Sequence, residues 1–239
     1  KSHHGVLCYE YMIVENLKFK SELYYQHLYD VPVCEISDYL ESKKDDPAFE
    51  QEYKKQASVS LLNFGSDFYM PRFDSLVNEG TGDNYGVEFT IEKYFSNNYY
   101  FLTTLSLFES KYKTPNSKTF NSVFNNNVVF NLLGGYELKL DEKKTLAVDI
   151  KGTYSGGRRR LDIDLEKSIA AQEPVYNFDE PYKTKYRDYF RFDIKLTYKQ
   201  NYERVSYEFS LDFQNITNKN NMMMEQFTYN RLEPQKSEI

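Results

Sequence analysis

Apolar and polar side chains alternate along most of this chain, in paired segments joined by a few polar residues. In residues 84–95, Tyr85, Val87, Phe89 and Ile91 fall on one face of an extended backbone, and Gly86, Glu88, Thr90 and Glu92 fall on the other. After Ser96-Asn97-Asn98 the alternation returns through Tyr99, Phe101, Thr103, Leu105 and Leu107, in residues 99–113. A period of two on both sides of a short Asn-rich turn predicts a β-hairpin.

The same signature predicts three more hairpins. Residues 5–13 and 17–28 flank Val14-Glu15-Asn16, and residues 127–140 and 145–157 flank Asp141-Glu142-Lys143-Lys144. In the latter pair Val128, Phe130, Leu132, Tyr136, Leu138 and Leu140 share a face, as do Leu146, Val148, Ile150 and Tyr154. In residues 188–199 and 205–215, Phe190, Phe192, Ile194, Leu196 and Tyr198 match Val205, Tyr207, Phe209, Leu211 and Phe213 across a short turn. A further short strand is predicted at 222–229. The expected fold is all-β, an antiparallel up-and-down meander of about nine long strands.

Connector length alternates as regularly as the faces do. The turns within hairpins are short, whereas the connections near 29–83, 114–126 and 158–187 are long and rich in charge, Asn, Pro and Tyr. In the first of these, ISDYLESKK suits a helical turn and SVSLLNFG an extra strand. Short turns at one end and long loops at the other are what a membrane barrel shows, and a sandwich does not. Strand length agrees, because ten residues at about 3.3 Å each and roughly 45° tilt span the roughly 25 Å apolar band of an outer membrane. Tyr94, Phe95, Tyr99, Tyr100 and Phe101 crowd one short turn, the position of an aromatic girdle. The competing reading is a soluble long-stranded sheet, which needs a covering layer, and no segment predicts a helix long enough to supply one.

Composition narrows the class. Of 239 residues 40% are hydrophobic, yet 17% are aromatic, with 23 Tyr, 18 Phe and no Trp. Mean hydropathy is −0.72, too low for a helical membrane protein, and no run approaches the roughly 18 apolar residues of a spanning helix. A disordered chain would be poor in aromatics; strands with one wet and one apolar face hide the apolar one in the average. The net charge of −6 argues against nucleic-acid binding. Cys8 and Cys34 are too few for a disulfide scaffold and read as buried or lipid-facing thiols, or as one mutual disulfide. The opening KSHHGVLCYEYM lacks the basic and apolar regions of a signal peptide.

Candidate chemistry concentrates in SGGRRRLDIDLE, residues 155–166. Arg158, Arg159 and Arg160 suit an anionic ligand, which guanidinium pairs bidentately; alternatively they pair with Asp162, Asp164 and Glu166 or with lipopolysaccharide phosphates. Tyr176 and Tyr182, with Phe178 and Tyr186, suit stacking on a ligand ring, or else hold their loop together. GGRRR has neither the spacing nor the ending of a P-loop. Met222-Met223-Met224 has no His or Cys nearby and reads as packing rather than metal binding. His3, His4 and His27 form no metal motif, and the Asn215-Ile216-Thr217 sequon reads as accidental. Asp193, Glu208 and Asp212 stand beside Arg191 and Lys195, a solvated wall rather than an acid–base pair. No cofactor and no enzyme activity are expected.

Several stretches resemble a known family. LVNEGTGDNYGVEFTIEKYF (76–95), YYQHLYDVPV (24–33), NLLGGYELKL (131–140), GTYSGGRRRLDIDLEKSIAA (152–171), YRDYFRFDIKLTYK (186–199) and LDFQNITNKNN (211–221) are similar, in order, to barrel segments of TonB-dependent outer-membrane receptors, particularly of Bacteroidetes-type bacteria. The resemblance implies that residues 1–239 are the C-terminal portion of a roughly 22-stranded barrel in the bacterial outer membrane, truncated at both ends. It implies energy-coupled uptake of a small ligand. The implied partners are outer-membrane lipid and lipopolysaccharide, an N-terminal plug domain outside this chain, and the TonB complex acting through that missing region. The alternative from a different class is a soluble β-rich ligand- or carbohydrate-binding module.

Overall fold

The computed structural model describes residues 1–63, 75–115, 118–222, 224–228 and 235–238. Among the described residues there are thirteen strands: β1 (Ser2–Val14), β2 (Leu17–Cys34), β3 (Leu76–Ser96), β4 (Tyr99–Lys113), β5 (Thr119–Asn121), β6 (Val128–Lys139), β7 (Lys144–Ser155), β8 (Asp162–Ile163), β9 (Tyr176–Asn177), β10 (Tyr189–Asn201), β11 (Ser206–Phe213), β12 (Glu225–Thr228) and β13 (Gln235–Glu238). Three short helices, α1 (Asp38–Ser42), α2 (Glu50–Ser58) and α3 (Leu165–Ala171), lie in the long connections. The main sheet is an antiparallel meander in the order β1-β2-β3-β4-β6-β7-β10-β11, with β5 added to β4. The expected meander of about nine strands is therefore present. Among the described residues it stays open, since β1 and β11 each pair on one side only.

Register aligns the alternating patterns into two continuous faces. Leu23 lies opposite Leu7 and Val87, and Val87 opposite Leu107. Farther along, Ile150 lies opposite Ile194, and Ile194 opposite Phe213. Because side chains alternate across the pleat, one face is apolar across all eight long strands. It is uncovered: Leu7 is 71% exposed and Phe209 66%. On the other face Lys18 pairs with Glu92 at 3.0 Å, Lys20 with Glu22 at 2.7 Å, and Arg191 with Asp193 at 2.8 Å. Ser106 donates to Glu88 on the same face.

All short turns gather at one end of the meander. Between β3 and β4, Asn97 and Asn98 have φ of 53° and 70°, the left-handed pair of a two-residue hairpin turn that Asn tolerates. At this end Lys93 Nζ sits 4.0 Å from the Tyr99 ring centroid and Lys18 Nζ 5.7 Å from that of Tyr94. The long connections meet at the opposite end, where they share an apolar core of Tyr112, Val123, Leu161, Phe178 and Tyr182, flanked by Leu62, Phe120 and Tyr176. We call this assembly the crown.

Several boundaries differ from the sequence expectation. β2 and β3 run past their alternating stretches into the crown, pairing as far as Cys34 with Leu76. Asp30, at φ 54°, lies in a register shift between Leu28 and Val31. The shift turns Val31 and Val33 from the apolar face toward the side of Gly80, where they are buried. ISDYLESKK does contain a helix, α1, with the Ser37 hydroxyl accepting from the Leu40 amide. SVSLLNFG is not a strand in its described part. Ser60 makes one bridge to Val33, Leu61–Asn63 is a 3₁₀ turn, and Phe64 and Gly65 lie outside the described residues. Helices α2 and α3 escaped the sequence reading because both are short and set among charged loop residues. The last expected strand shortens to β12 and pairs with β13, apart from the main sheet; Met223 and Tyr229 lie outside the described residues. Cys8 is exposed and Cys34 buried, and they form no disulfide.

Candidate functional site

The crown is where the arginines and tyrosines singled out in the sequence are brought together. Its first loop turns in over the polar face of the sheet. Tyr112, on that face near the end of β4, is 1% exposed and donates its hydroxyl to the Ser58 carbonyl at 2.7 Å. Burial pushes the Tyr112 phenol well above its ordinary pKa. Asn63 Oδ1 accepts from the Val123 amide at 2.9 Å, tying the first loop to the second. Asp179 of the third loop accepts from Gln51 and Lys54 of α2. The Lys54 ammonium holds the Asp179 carboxyl below its ordinary value.

Arg159 is the main link between the second and third loops. Its Nε donates to the Asn125 carbonyl at 3.1 Å, Nη1 to the Lys183 carbonyl at 2.7 Å and Nη2 to Asn127 Oδ1 at 3.1 Å. Burial lowers the pKa of this guanidinium. Lys185 is lowered too, by burial first and then by the neighbouring Arg159 charge. Arg160 takes the partner that the sequence offered it, Asp162, at 3.4 Å, and lies 5.4 Å from the Tyr186 ring centroid. Asp164 instead caps α3, accepting from the Lys167 amide at 3.1 Å and pairing with the Lys167 ammonium at 3.0 Å. Tyr182 is buried in the crown core and Tyr176, on β9, packs against it.

Arg158 occupies a different setting. It lines a cleft of about 410 Å³ together with Asn126, Ser155, Gly156, Gly157, Tyr186, Arg187, Tyr189, Asn221 and Met222. Ser155 and Tyr189 are register partners on the polar face at the crown end, so these two lining residues belong to that face. The paired glycines have a steric cause. A Cβ on Gly156 would meet the Asn126 carbonyl oxygen at 2.2 Å, and one on Gly157 the Tyr186 carbonyl oxygen at 1.9 Å. Asp188 beside the cleft accepts from the Tyr154 hydroxyl at 2.6 Å and the Gly157 amide at 2.9 Å. The Tyr154 hydrogen bond is the chief cause of a carboxyl pKa below the ordinary value.

Of the residues marked in the sequence, Arg158, Tyr186 and Met222 therefore lie on the cleft, while Arg159, Arg160, Tyr176, Phe178 and Tyr182 lie in the crown's internal network. Sequence reading missed Arg187, Tyr189, Asn126 and Asn221 as cleft residues. The available signal was the β7–β10 pairing, which brings Arg187 and Arg158 together just beyond Tyr189 and Ser155. Among the described residues no group of three or more His, Cys, Asp or Glu side chains could hold a metal ion.

Fold and cleft together define an all-β protein with a two-faced antiparallel sheet and a packed loop crown at one end. No family model, curated protein or solved structure matches the chain. Among the described residues no helix is long and apolar enough to cross a membrane, which says nothing of crossing by strands.

Proposed function

We propose that this chain forms part of the wall and outer loops of an outer-membrane receptor, a transmembrane β-barrel that takes up a small ligand by TonB-dependent transport. One observation carries the reading. A single uncovered apolar face crosses eight strands, with a charged face behind it and every long loop at one end. Soluble monomers rarely expose contiguous apolar patches beyond a few hundred Å². A bilayer covers such a face without a second protein layer, provided that every backbone group is paired. Tyr94, Phe95 and Tyr99, with lysines over two of their rings, suit the interface at the short-turn end.

In this reading the sheet is one portion of a barrel of roughly 22 strands, with β1 and β11 each joined to further strands. The polar face lines a hydrated lumen or meets a plug domain, the crown faces outward beside lipopolysaccharide, and the TonB complex acts through a segment outside residues 1–239. Ligand capture falls to the crown, which holds Arg158, Arg159, Arg160, Tyr176 and Tyr182. The test is partition: source-cell membranes washed with carbonate should retain the protein, and detergent should release it. Recovery in the detergent-free soluble fraction would replace this reading with that of a soluble β-rich binding module.

A further inference from the structure

At the short-turn end two hairpin turns meet in a cleft of about 580 Å³, lined by Lys143, Tyr202, Glu203, Arg204, Val205 and Tyr207. The Asn201 amide donates to the Lys143 carbonyl at 2.7 Å, which sets the β10–β11 turn beside the β6–β7 turn. The β10–β11 turn is closed by the Tyr202 amide on the Val205 carbonyl at 2.8 Å and by the Ser206 hydroxyl on Asn201 Oδ1 at 2.8 Å. The rings of Tyr202 and Tyr207 meet edge to face, with 5.8 Å between centroids.

The cleft spans the end of the apolar face. Tyr207 lies on that face in alternation with Phe209, and Val205 and Tyr207 are each 53% exposed. Lys143, Glu203 and Arg204 come from the turns. Asp141 is already committed to the Lys143 amide at 2.8 Å and the Lys144 ammonium at 3.4 Å. Among the described residues the Lys143 ammonium, the Glu203 carboxylate and the Arg204 guanidinium form no ion pair. Two cations, one carboxylate and an open apolar wall therefore share one rim.

We infer that this cleft seats the headgroup of an amine-bearing phospholipid. Its phosphate lies between Lys143 and Arg204, its ammonium at Glu203, and the start of its acyl chains against Val205 and Tyr207. Lysine meets a phosphate as a point charge and arginine as a fork of donors, and the charges strengthen those hydrogen bonds. Tyrosine, with an apolar ring and a polar tip, suits the depth at which headgroup gives way to chain. The inference rests on the receptor reading, which puts the apolar face in lipid, and it names the lipid that this rim prefers.

The test is native mass spectrometry of the purified full chain, released from neutral detergent micelles doped with phosphatidylethanolamine, phosphatidylglycerol or diacylglycerol of the same acyl chains. One phosphatidylethanolamine should bind saturably. Diacylglycerol should bind about tenfold more weakly for want of the phosphate, and phosphatidylglycerol about fivefold more weakly for want of the amine. Free phosphoethanolamine, which has no acyl chains, should bind at least about tenfold more weakly. Lys143→Gln and Arg204→Gln should each weaken phosphatidylethanolamine about fivefold. Lys183→Gln, whose native ammonium pairs with Glu180 at the crown end, should leave it unchanged. Glu203→Gln should bring the two phospholipids to equal affinity, a change of selectivity that a disturbed turn does not produce. The seat is overturned if wild type binds phosphatidylglycerol, diacylglycerol or free phosphoethanolamine as tightly as phosphatidylethanolamine, or if Lys183→Gln weakens binding equally. Retention in carbonate-washed membranes without this selectivity removes the seat alone. Selectivity in a protein recovered from the soluble fraction removes the receptor reading and leaves the seat.

Discussion

Single residues carry different burdens on the two faces and in the crown. Phe209, opposite Tyr198 on the apolar face of β11, is 66% exposed. In a bilayer, Phe209→Arg is expected to cost about 2–4 kcal/mol, while Glu208→Gln on the wet face costs little. Denaturant unfolding of the two variants in lipid vesicles checks this, and equal costs would mean that the faces are misassigned. Gly157 answers to a different constraint. An added methyl at 1.9 Å from the Tyr186 carbonyl oxygen forces backbone to move, and overpacking of this kind costs about 1–3 kcal/mol. Gly157→Ala should therefore shorten the protease half-life of residues 156–188 and leave the β3–β4 hairpin intact. The glycine pair was visible in the sequence; the carbonyls that require it were not, since Asn126 and Tyr186 are distant in the chain.

The crown's loops are tied together by one shared apolar core, against which Leu62 of the first connection packs. Tyr112 comes from β4, Val123 from the second long connection, and Leu161, Phe178 and Tyr182 from the third. Truncation of Tyr112 to Ala should therefore raise hydrogen exchange in all three connections together; faster exchange confined to residues 114–127 would show that they are independent. Helix α3 adds a pH dependence. The Lys167 amide, and after it the Lys167 ammonium, hold the Asp164 carboxyl below its ordinary value. A depressed carboxyl contributes stability above its unfolded pKa of about 3.9, and the contribution disappears as pH falls through the folded value. Amide exchange in α3, taken relative to that of the unfolded chain, should rise below about pH 4 in the wild type. Asp164→Ala should raise it already at pH 7, by about 1 kcal/mol in opening free energy, the usual worth of such a cap. An unchanged rate would remove the capping role.

At the scale of the whole molecule, the two edges of the sheet matter most. All residues of β1 and β11 are exposed, and each strand presents one row of amides and carbonyls with no ladder partner among the described residues. Unpaired backbone is not tolerated in lipid. If the barrel closes, outward amides of β1 and β11 should exchange as slowly in native membranes as those of β3 and β4. Fast exchange at both edges in a membrane-bound protein would rule out closure.

The division between sequence and tertiary structure follows the range of the interactions. Alternation over 84–95, 99–113 and 188–215 is a local pattern, so the strands, their short turns, the two faces and the end carrying the long loops could be read from residue order alone. Helix α1 was legible for the same reason. The crown core, the inward turn of Val31 and Val33, the clamp made by Arg159, and the meeting of Arg158 with Arg187 depend on contacts between distant segments. A run of three arginines shows what kind of chemistry is present. Which of the three reaches a cleft is decided by where the backbone carbonyls and carboxylates of other loops come to lie.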